Sequence, residues 1–296
     1  MSELLMDQLA GTNMVYARFS FQYFLASMQR LGVHNIELYG CTTHFHFYDG
    51  DEAVARAKRL LRDSGLRVIS MMPEENVYPV NIAAREKRLR DNTVELYKRF
   101  MAAAAELDCH QMLLCPGRPY RDRPYSEGFQ YAKESILRLT EYARQVGVVL
   151  CYENLRIGES TLATDLNDME RMVREVDSPY LKCCVDTVPV YAAGEKLEDY
   201  LERLGDKVHH IHLNDGAPDG HLMWGDGTQD VDEHLNALRR HGYSRYITME
   251  MAAAKYRLDP ERFYRQNIEY LSRHFDGGDL SCGKGGRHSC LNRSAW

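Results

Sequence analysis

No apolar run in this chain approaches the roughly 20 residues that a membrane-crossing helix needs, so a span of that kind is excluded. A basic surplus is also missing. The 37 Lys and Arg are outnumbered by 43 Asp and Glu, a formal net charge of −6, which argues against a nucleic-acid surface. Neither GxGxxG nor GxxxxGK[ST] follows the first strand candidate, which removes the usual phosphate loop of an open doubly wound sheet. The 8 cysteines contain no CxxC pair. Cys109, Cys115, Cys151, Cys183 and Cys184 fall in or beside apolar strand candidates, where a free thiol behaves as a small hydrophobe. Reduced, structural cysteines in a reducing compartment are therefore expected. The start, Met-Ser-Glu-Leu-Leu-Met-Asp-Gln, has neither a basic opening nor a signal-type apolar core, and a cytoplasmic address is the expectation.

What is present is alternation. The 296 residues, 44% hydrophobic and 27% charged, suit one soluble α/β barrel of about 250 residues with terminal extras. Short apolar runs at 13–17, 35–39, 67–72, 111–115, 148–153, 181–186, 208–213 and 246–250 read as strands. Amphipathic helical patterns lie between them, clearest at 91–107 and 127–146. Gly32, Gly65, Gly147, Gly205 and Gly242 stand where helix ends want a positive φ, each a few residues before the next strand. Alternating units imply a parallel sheet, and eight permit closure. The expectation is a single (β/α)₈ TIM barrel over 1–276, with 277–296 a disordered or expression-derived tail. Cys282, His288 and Cys290 in that tail are too loosely spaced for a good zinc site.

Four of the apolar runs end on groups able to hold a metal. These are Cys-Tyr-Glu-Asn-Leu, Cys-Val-Asp, His-Ile-His-Leu-Asn-Asp and Ile-Thr-Met-Glu, which carry Glu153, Asp186, His212 and Glu250. Spacings of 33, 26 and 38 residues are too long for a local finger or loop motif. They meet only if successive parallel strands place their C-terminal ends round one axis, where barrels keep their active sites. Three carboxylates buried together would repel and resist ionisation, a difficulty that a divalent ion removes. The mixed oxygen and imidazole set suits Mn²⁺ first, with Mg²⁺ or Co²⁺ alternatives. His210 shares the parity of His212, but the residue nearer the strand end is the better ligand.

Four protein ligands on a six-coordinate ion leave two places for a carbonyl and an adjacent hydroxyl of a sugar. The ion would act as a Lewis acid, and a nearby carboxylate would remove the hydrogen beside the carbonyl. With Glu153 and Glu250 on opposite sides, removal by one and return by the other inverts a stereocentre through a metal-bound enediolate. One-sided return would instead isomerise an aldose to a ketose. His44 and His46, in Thr-Thr-His-Phe-His-Phe after the second strand, either wall the sugar or pack their loop. Arg118 and Arg121, after the fourth strand, either bind a carboxylate or phosphate of the substrate or lie solvated.

At these residues the chain resembles the xylose-isomerase-like barrel superfamily of sugar isomerases, ketose 3-epimerases, inosose dehydratases and AP-endonuclease-type enzymes. The likeness runs from about Met14 to Phe275. Within it, Leu-Gly-Val-His-Asn-Ile-Glu-Leu-Tyr-Gly (31–40), Pro-Glu-Glu-Asn-Val-Tyr-Pro-Val-Asn (73–81) and Leu-Gly-Asp-Lys-Val-His-His-Ile-His (204–212) are similar to the fructoselysine 3-epimerase group. The resemblance implies that Glu153, Asp186, His212 and Glu250 are the metal ligands, that the two glutamates are the acid/base pair, and that Glu159 contacts substrate. Pro189 and Pro218 stand where ketose 3-epimerases usually carry a His and an Arg, so a ketose and a ketose–amino acid conjugate both remain open as substrate. Asp219-Gly-His221 and Gly225-Asp226-Gly227 resemble AP-endonuclease motifs, but the further histidines of those multi-zinc sites have few counterparts here. His221 either contacts substrate or packs its loop. The resemblance thus implies a metal-dependent sugar isomerase or epimerase of carbohydrate metabolism, with a small sugar or sugar conjugate as partner, no nucleic acid and no membrane. The alternative is a lyase: a C-glycoside deglycosidase α subunit working with a small β subunit, or an inosose dehydratase-like enzyme. Barrels of this kind commonly form homo-oligomers.

Overall fold

Eight short strands close on themselves in chain order, every neighbouring pair parallel. They are β1 (Leu9–Thr12), β2 (Asn35–Tyr39), β3 (Arg67–Met72), β4 (Gln111–Leu114), β5 (Val149–Glu153), β6 (Leu181–Asp186), β7 (Val208–His212) and β8 (Ile247–Met249). The computed structural model describes residues 2–40, 43–45, 50–73, 79–217 and 220–276. The tail 277–296, with Cys282, His288 and Cys290, lies outside the described residues, as do His46, Pro218 and Asp219.

Helices follow the strands. In order they are α1 (Phe21–Arg30), α2 (Asp51–Ser64), α3 (Lys87–Glu106), α4 (Tyr125–Val146), α5 (Leu166–Val176), α6 (Thr187–Ala192), α7 (Leu197–Leu204), α8 (Val231–Arg240) and α9 (Pro260–Leu271). Several start on side-chain caps that satisfy orphan backbone donors: Ser20 for α1, Asp165 for α5 and Asp230 for α8. The five glycines expected at helix ends all take positive φ. Cys109, Cys115, Cys151, Cys183 and Cys184 are free and buried.

The first strand needs correction. The sequence pattern put it at 13–17, but it is β1 at Leu9–Thr12, and Met14–Tyr16 is a turn of 3₁₀ helix. Val15 and Tyr16 drew the expectation because β-branched and aromatic residues favour strands. Their burial is instead in the layer outside the barrel, with Tyr16 Oη 2.7 Å from Ser27 Oγ on α1. β1 itself reads Leu-Ala-Gly-Thr, a weak strand signal, and tolerates Gly11 because α1 packs directly on it. A Cβ there would lie 2.5 Å from Met28 Sδ.

Alternate side chains of the strands face two cores. The larger one, between barrel and helices, takes Ile36, Leu38, Leu150, Tyr152, Cys183, Val185 and Ile211 from the strands. A much smaller apolar cluster, Met72, Leu113, Cys151 and Cys184, forms a second core apart from it. Burial on the barrel strands also includes Thr12, Glu37, Ser70, His210, His212 and Thr248 at no accessible surface at all. Polar groups so enclosed are stable only when they satisfy one another or a ligand.

Candidate metal and active centre

The four strand-end groups converge. Glu153, Asp186 and His212 are the last residues of β5, β6 and β7, and Glu250 immediately follows β8. One ligating atom from each lies within 4.8 Å of the other three. Trans ligands on one ion with bonds of about 2.1–2.4 Å are roughly 4.2–4.8 Å apart, so the spread fits a single cation. His212 Nδ1 is 2.8 Å from Glu153 Oε1 and 3.0 Å from Glu250 Oε2. These contacts are short enough for ion pairing but are not aligned as hydrogen bonds, and His212 Nδ1 and Glu250 Oε2 stay without a hydrogen-bond partner. Orphaned donor atoms facing one point are what a metal site leaves when protein atoms alone are counted. The residues present fit a divalent ion.

Neighbouring side chains hold each ligand in place. Asp186 Oδ1 caps α6 by accepting the Val188 N–H at 2.8 Å, which leaves Oδ2 turned to the site. Pro189 falls in the first turn of that helix, where a missing N–H costs nothing. Asn154 donates to the Asp186 carbonyl at 3.1 Å and accepts its N–H at 2.8 Å, tying β5 to β6. Thr187 similarly joins β6 to β7, its Oγ1 donating to the Asn214 carbonyl at 2.7 Å and accepting the Asn214 N–H at 3.0 Å.

Below the ligands lies a residue that sequence reasoning missed. Glu37, in β2, places Oε1 3.0 Å from His212 Nε2 and Oε2 3.1 Å from His210 Nε2. His210 Nε2 is also 2.9 Å from Thr248 Oγ1. Burial works to raise the Glu37 carboxyl, but His212 and His210 outweigh it and hold it below the usual range. Like the Nδ1 contacts, this approach is at ion-pair distance without hydrogen-bond alignment, and a carboxylate beside Nε2 is the usual support of a histidine whose Nδ1 faces a metal. The signal was available: a glutamate inside Asn-Ile-Glu-Leu-Tyr, on a strand buried on both faces, needs a charged partner.

Burial would lower the His212 pKa, yet the gathered carboxylates of Glu250, Glu37 and Glu153 push it well above its ordinary value. Cys184 adds little to this, because burial keeps its thiol protonated. Glu153 is pushed up to about 7, first by burial and then by Glu250 and Asp186, with His212 opposing. Asp186 is held low despite burial, chiefly by His221. Two other groupings have ligating atoms close together, Glu37 with His210 and His212, and Glu153 with Cys184 and His212. The first has no exposed atom for a ligand to reach, and the second would need a thiolate that burial suppresses.

Above the ligands opens a cavity of about 350 Å³. Met14, Tyr39, Met72, Pro73 and Leu113 make its apolar wall, while Glu153, Asp186 and Glu250 reach it from the other strands. Glu159 lines it, bound to Arg156 at 2.6 Å, and that guanidinium holds the carboxyl low against the effect of burial. His221 lines it too, with Nε2 2.7 Å from Asp186 Oδ2 and 3.5 Å from Glu250 Oε2; burial lowers its pKa, but these two carboxylates raise it to about 9. Asp215 steadies the loop that carries it, accepting N–H bonds from Gly216, Gly225, Gly227 and Gln229. Arg118 lies on the rim, exposed. Arg121 instead donates to the Ile157 carbonyl.

His44 is not brought to this cavity. Its Nδ1 is 2.8 Å from Asn13 Nδ2, its Nε2 2.8 Å from the Phe19 carbonyl, and its ring packs on Phe21 and Phe24. Of the two roles open for it, the geometry gives loop packing. A crevice of about 370 Å³ at the opposite end of the barrel, beside His34, Arg67 and Tyr246, holds none of the clustered ligands.

A closed parallel barrel whose last four strands converge carboxylates and an imidazole on one point belongs to a recognisable class of α/β enzyme scaffold. The family model described as "Xylose isomerase-like TIM barrel" matches residues 25–274, and the chain belongs to that family. It is 27% identical over 257 residues to a protein named fructoselysine 3-epimerase in Escherichia coli O157:H7, covering 86% of this chain and 93% of that one. It is 25% identical over 174 residues to a probable endonuclease 4 of Mycobacterium bovis, covering 56% and 67%. Among solved structures, a D-tagatose 3-epimerase-like protein superposes with a TM-score of 0.75 at 19% identity, covering 90% of this chain and 98% of that one. An L-ribulose 3-epimerase superposes at 0.76 and 15% identity, covering 91% and 95%. At such identities these structures establish the fold.

Proposed function

We propose that this chain is a metal-dependent sugar epimerase, acting on the carbon beside a ketose carbonyl in a ketose or a ketose–amino acid conjugate. The observation that carries the reading is the convergence of Glu153, on β5, and Glu250, after β8, on His212 Nδ1 at 2.8 and 3.0 Å, with both glutamates lining one open cavity. Similarity to fructoselysine 3-epimerase over most of both chains supports the same reading.

Glu153, Asp186, His212 and Glu250 would hold a divalent ion, which when bound would supply Lewis-acid polarisation of the carbonyl and its neighbouring hydroxyl. Its donor set favours Mn²⁺, then Mg²⁺ or Co²⁺. One glutamate takes the proton from C3 as the C–H bond breaks, and the other gives a proton to the opposite face, so the sugar leaves inverted with its atoms conserved. Glu153 is suited to this exchange by position, at the end of β5 with its carboxylate reaching the cavity beside the other converging groups. Glu159 and Arg156 present hydrogen-bonding groups to the hydroxyls, and the Met14, Met72 and Leu113 wall keeps water from the reacting carbon.

The test is incubation with fructose, fructosamine conjugates and 3-oxo-glycosides in D₂O with Mn²⁺. Deuterium at the inverted carbon is expected. Release of an aglycone or of water would replace the epimerase with a lyase, and full activity after chelation would remove the metal.

A further inference from the structure

Three cationic side chains line the cavity, and two are occupied. Arg156 is bound to Glu159, and His221 lies against Asp186 and Glu250. Arg118 makes no ion pair and no side-chain hydrogen bond among the described residues.

Its backbone, by contrast, is fixed. Asn81 Oδ1 accepts the Arg118 N–H at 2.9 Å while Asn81 Nδ2 donates to the Arg118 carbonyl at 2.8 Å. Asn81 is itself anchored, its N–H donating to Thr93 Oγ1 at 3.0 Å. Gly117, just before, has φ +85°, and a Cβ there would sit 2.7 Å from the Ala83 N and 2.8 Å from Asn81 Oδ1, so only glycine permits this approach. Ser160 Oγ donates to the Gly117 carbonyl at 2.7 Å, linking the pedestal to the loop that carries Glu159. The clamped main chain fixes where the Arg118 side chain departs at the cavity mouth, and its guanidinium, unpaired among the described residues, has the donor fork that a planar or tetrahedral oxyanion takes. A neutral ketose offers it nothing to neutralise.

We propose that Arg118 is a specificity-determining residue that binds an anionic substituent on the sugar, a carboxylate of a conjugated amino acid or a phosphate. This rests on the epimerase reading above. The experiment compares kcat/KM for fructosyl-glycine and fructosyl-aminocaproate with their amides, and for fructose with fructose 6-phosphate, in the Mn²⁺-loaded wild type, Arg118→Gln and Arg118→Lys. Wild type is expected to prefer at least one member bearing the anionic group over the partner that lacks it, and Arg118→Gln to reduce that preference about 10- to 100-fold, mainly through KM. Arg118→Lys should recover part of it, since the charge remains without the bidentate fork. The pair that shows the preference identifies carboxylate or phosphate as the group. A ratio near one between the members with and without the anion in wild type, or one untouched by Arg118→Gln, overturns the proposal while C3 exchange with neutral ketoses leaves the epimerase standing. Absence of C3 exchange with every sugar overturns both.

Discussion

The two halves of the barrel approach the cavity with different chemistry. From β5–β8 come Glu153, Asp186, His212 and Glu250, one ligating group per strand end. From β1–β4 and their loops come Met14, Tyr39, Met72, Leu113 and Cys115, which are shape and dryness, with the charge of Arg118 held out at the rim. The division teaches that one half gathers the titratable groups at a single point and the other builds the apolar walls around them. Beneath the cavity Glu37 crosses the division, a carboxylate of the first half reaching 3.0 Å from the imidazole of the second.

If the division is correct, the largest losses come from β5 and β8. Glu153→Gln and Glu250→Gln keep volume but remove the proton acceptor, and each should lower kcat by about 10²–10⁴. Single-turnover D₂O exchange read by NMR checks it. A loss confined to one of the two would mean that a single residue both removes and returns the proton, and the outcome would be isomerisation.

Glu37→Gln tests whether the first half takes part. Replacing the carboxylate at His212 Nε2 weakens the tautomer that offers Nδ1, and metal affinity should fall about 10- to 100-fold, as for other partners of ligating histidines. Calorimetric titration of the chelated protein with Mn²⁺ measures it. The same titration in the wild type should raise Tm by roughly 5–10 °C at a hundredfold excess over Kd, because the ion binds only the folded arrangement. An unchanged Tm would place the four groups together without a resident cation.

Between these extremes lies Gly227→Ala. The added Cβ runs into the Asp215 carboxylate, whose Oδ1 accepts from Gly216 and Gln229 and whose Oδ2 accepts from Gly225 and Gly227 in the loop bearing His221. Overpacking of this kind costs about 1–3 kcal/mol and should raise KM more than it lowers kcat. Thermal melts and steady-state kinetics on one preparation separate the two.

Most of the second half was legible in the sequence because its strands are continuous apolar runs ending in ligating residues. β6 has the expected limits, Leu181–Asp186, and the four groups that converge were picked out from strand-end position. β1 was misplaced because Leu-Ala-Gly-Thr owes its conformation to pairing with β2 and β8 and not to its own propensity. Glu37 escaped for a related reason. Its partners lie more than 170 residues away, and only barrel closure brings β2 and β7 to the same interior. His44 could be read either way because a loop histidine reveals nothing of its neighbours until Asn13 and the Phe19 carbonyl are placed.

The smallest effect is expected in the first half, and it sharpens the comparison most. Leu113 is 2% exposed on β4 and belongs to the small apolar cluster with Met72, Cys151 and Cys184. Leu113→Val removes one methylene from the wall without touching a ligand or a proton-transfer group. Losing that much apolar contact costs about 1 kcal/mol, which corresponds to a few-fold rise in KM with kcat near its original value. Initial-rate kinetics at saturating and limiting sugar resolve the two parameters. Should kcat fall as far as it does in Glu153→Gln, the wall would be setting the position of the reacting carbon to within the tolerance of the chemistry itself, and the separation of shape from reactivity between the halves would not hold.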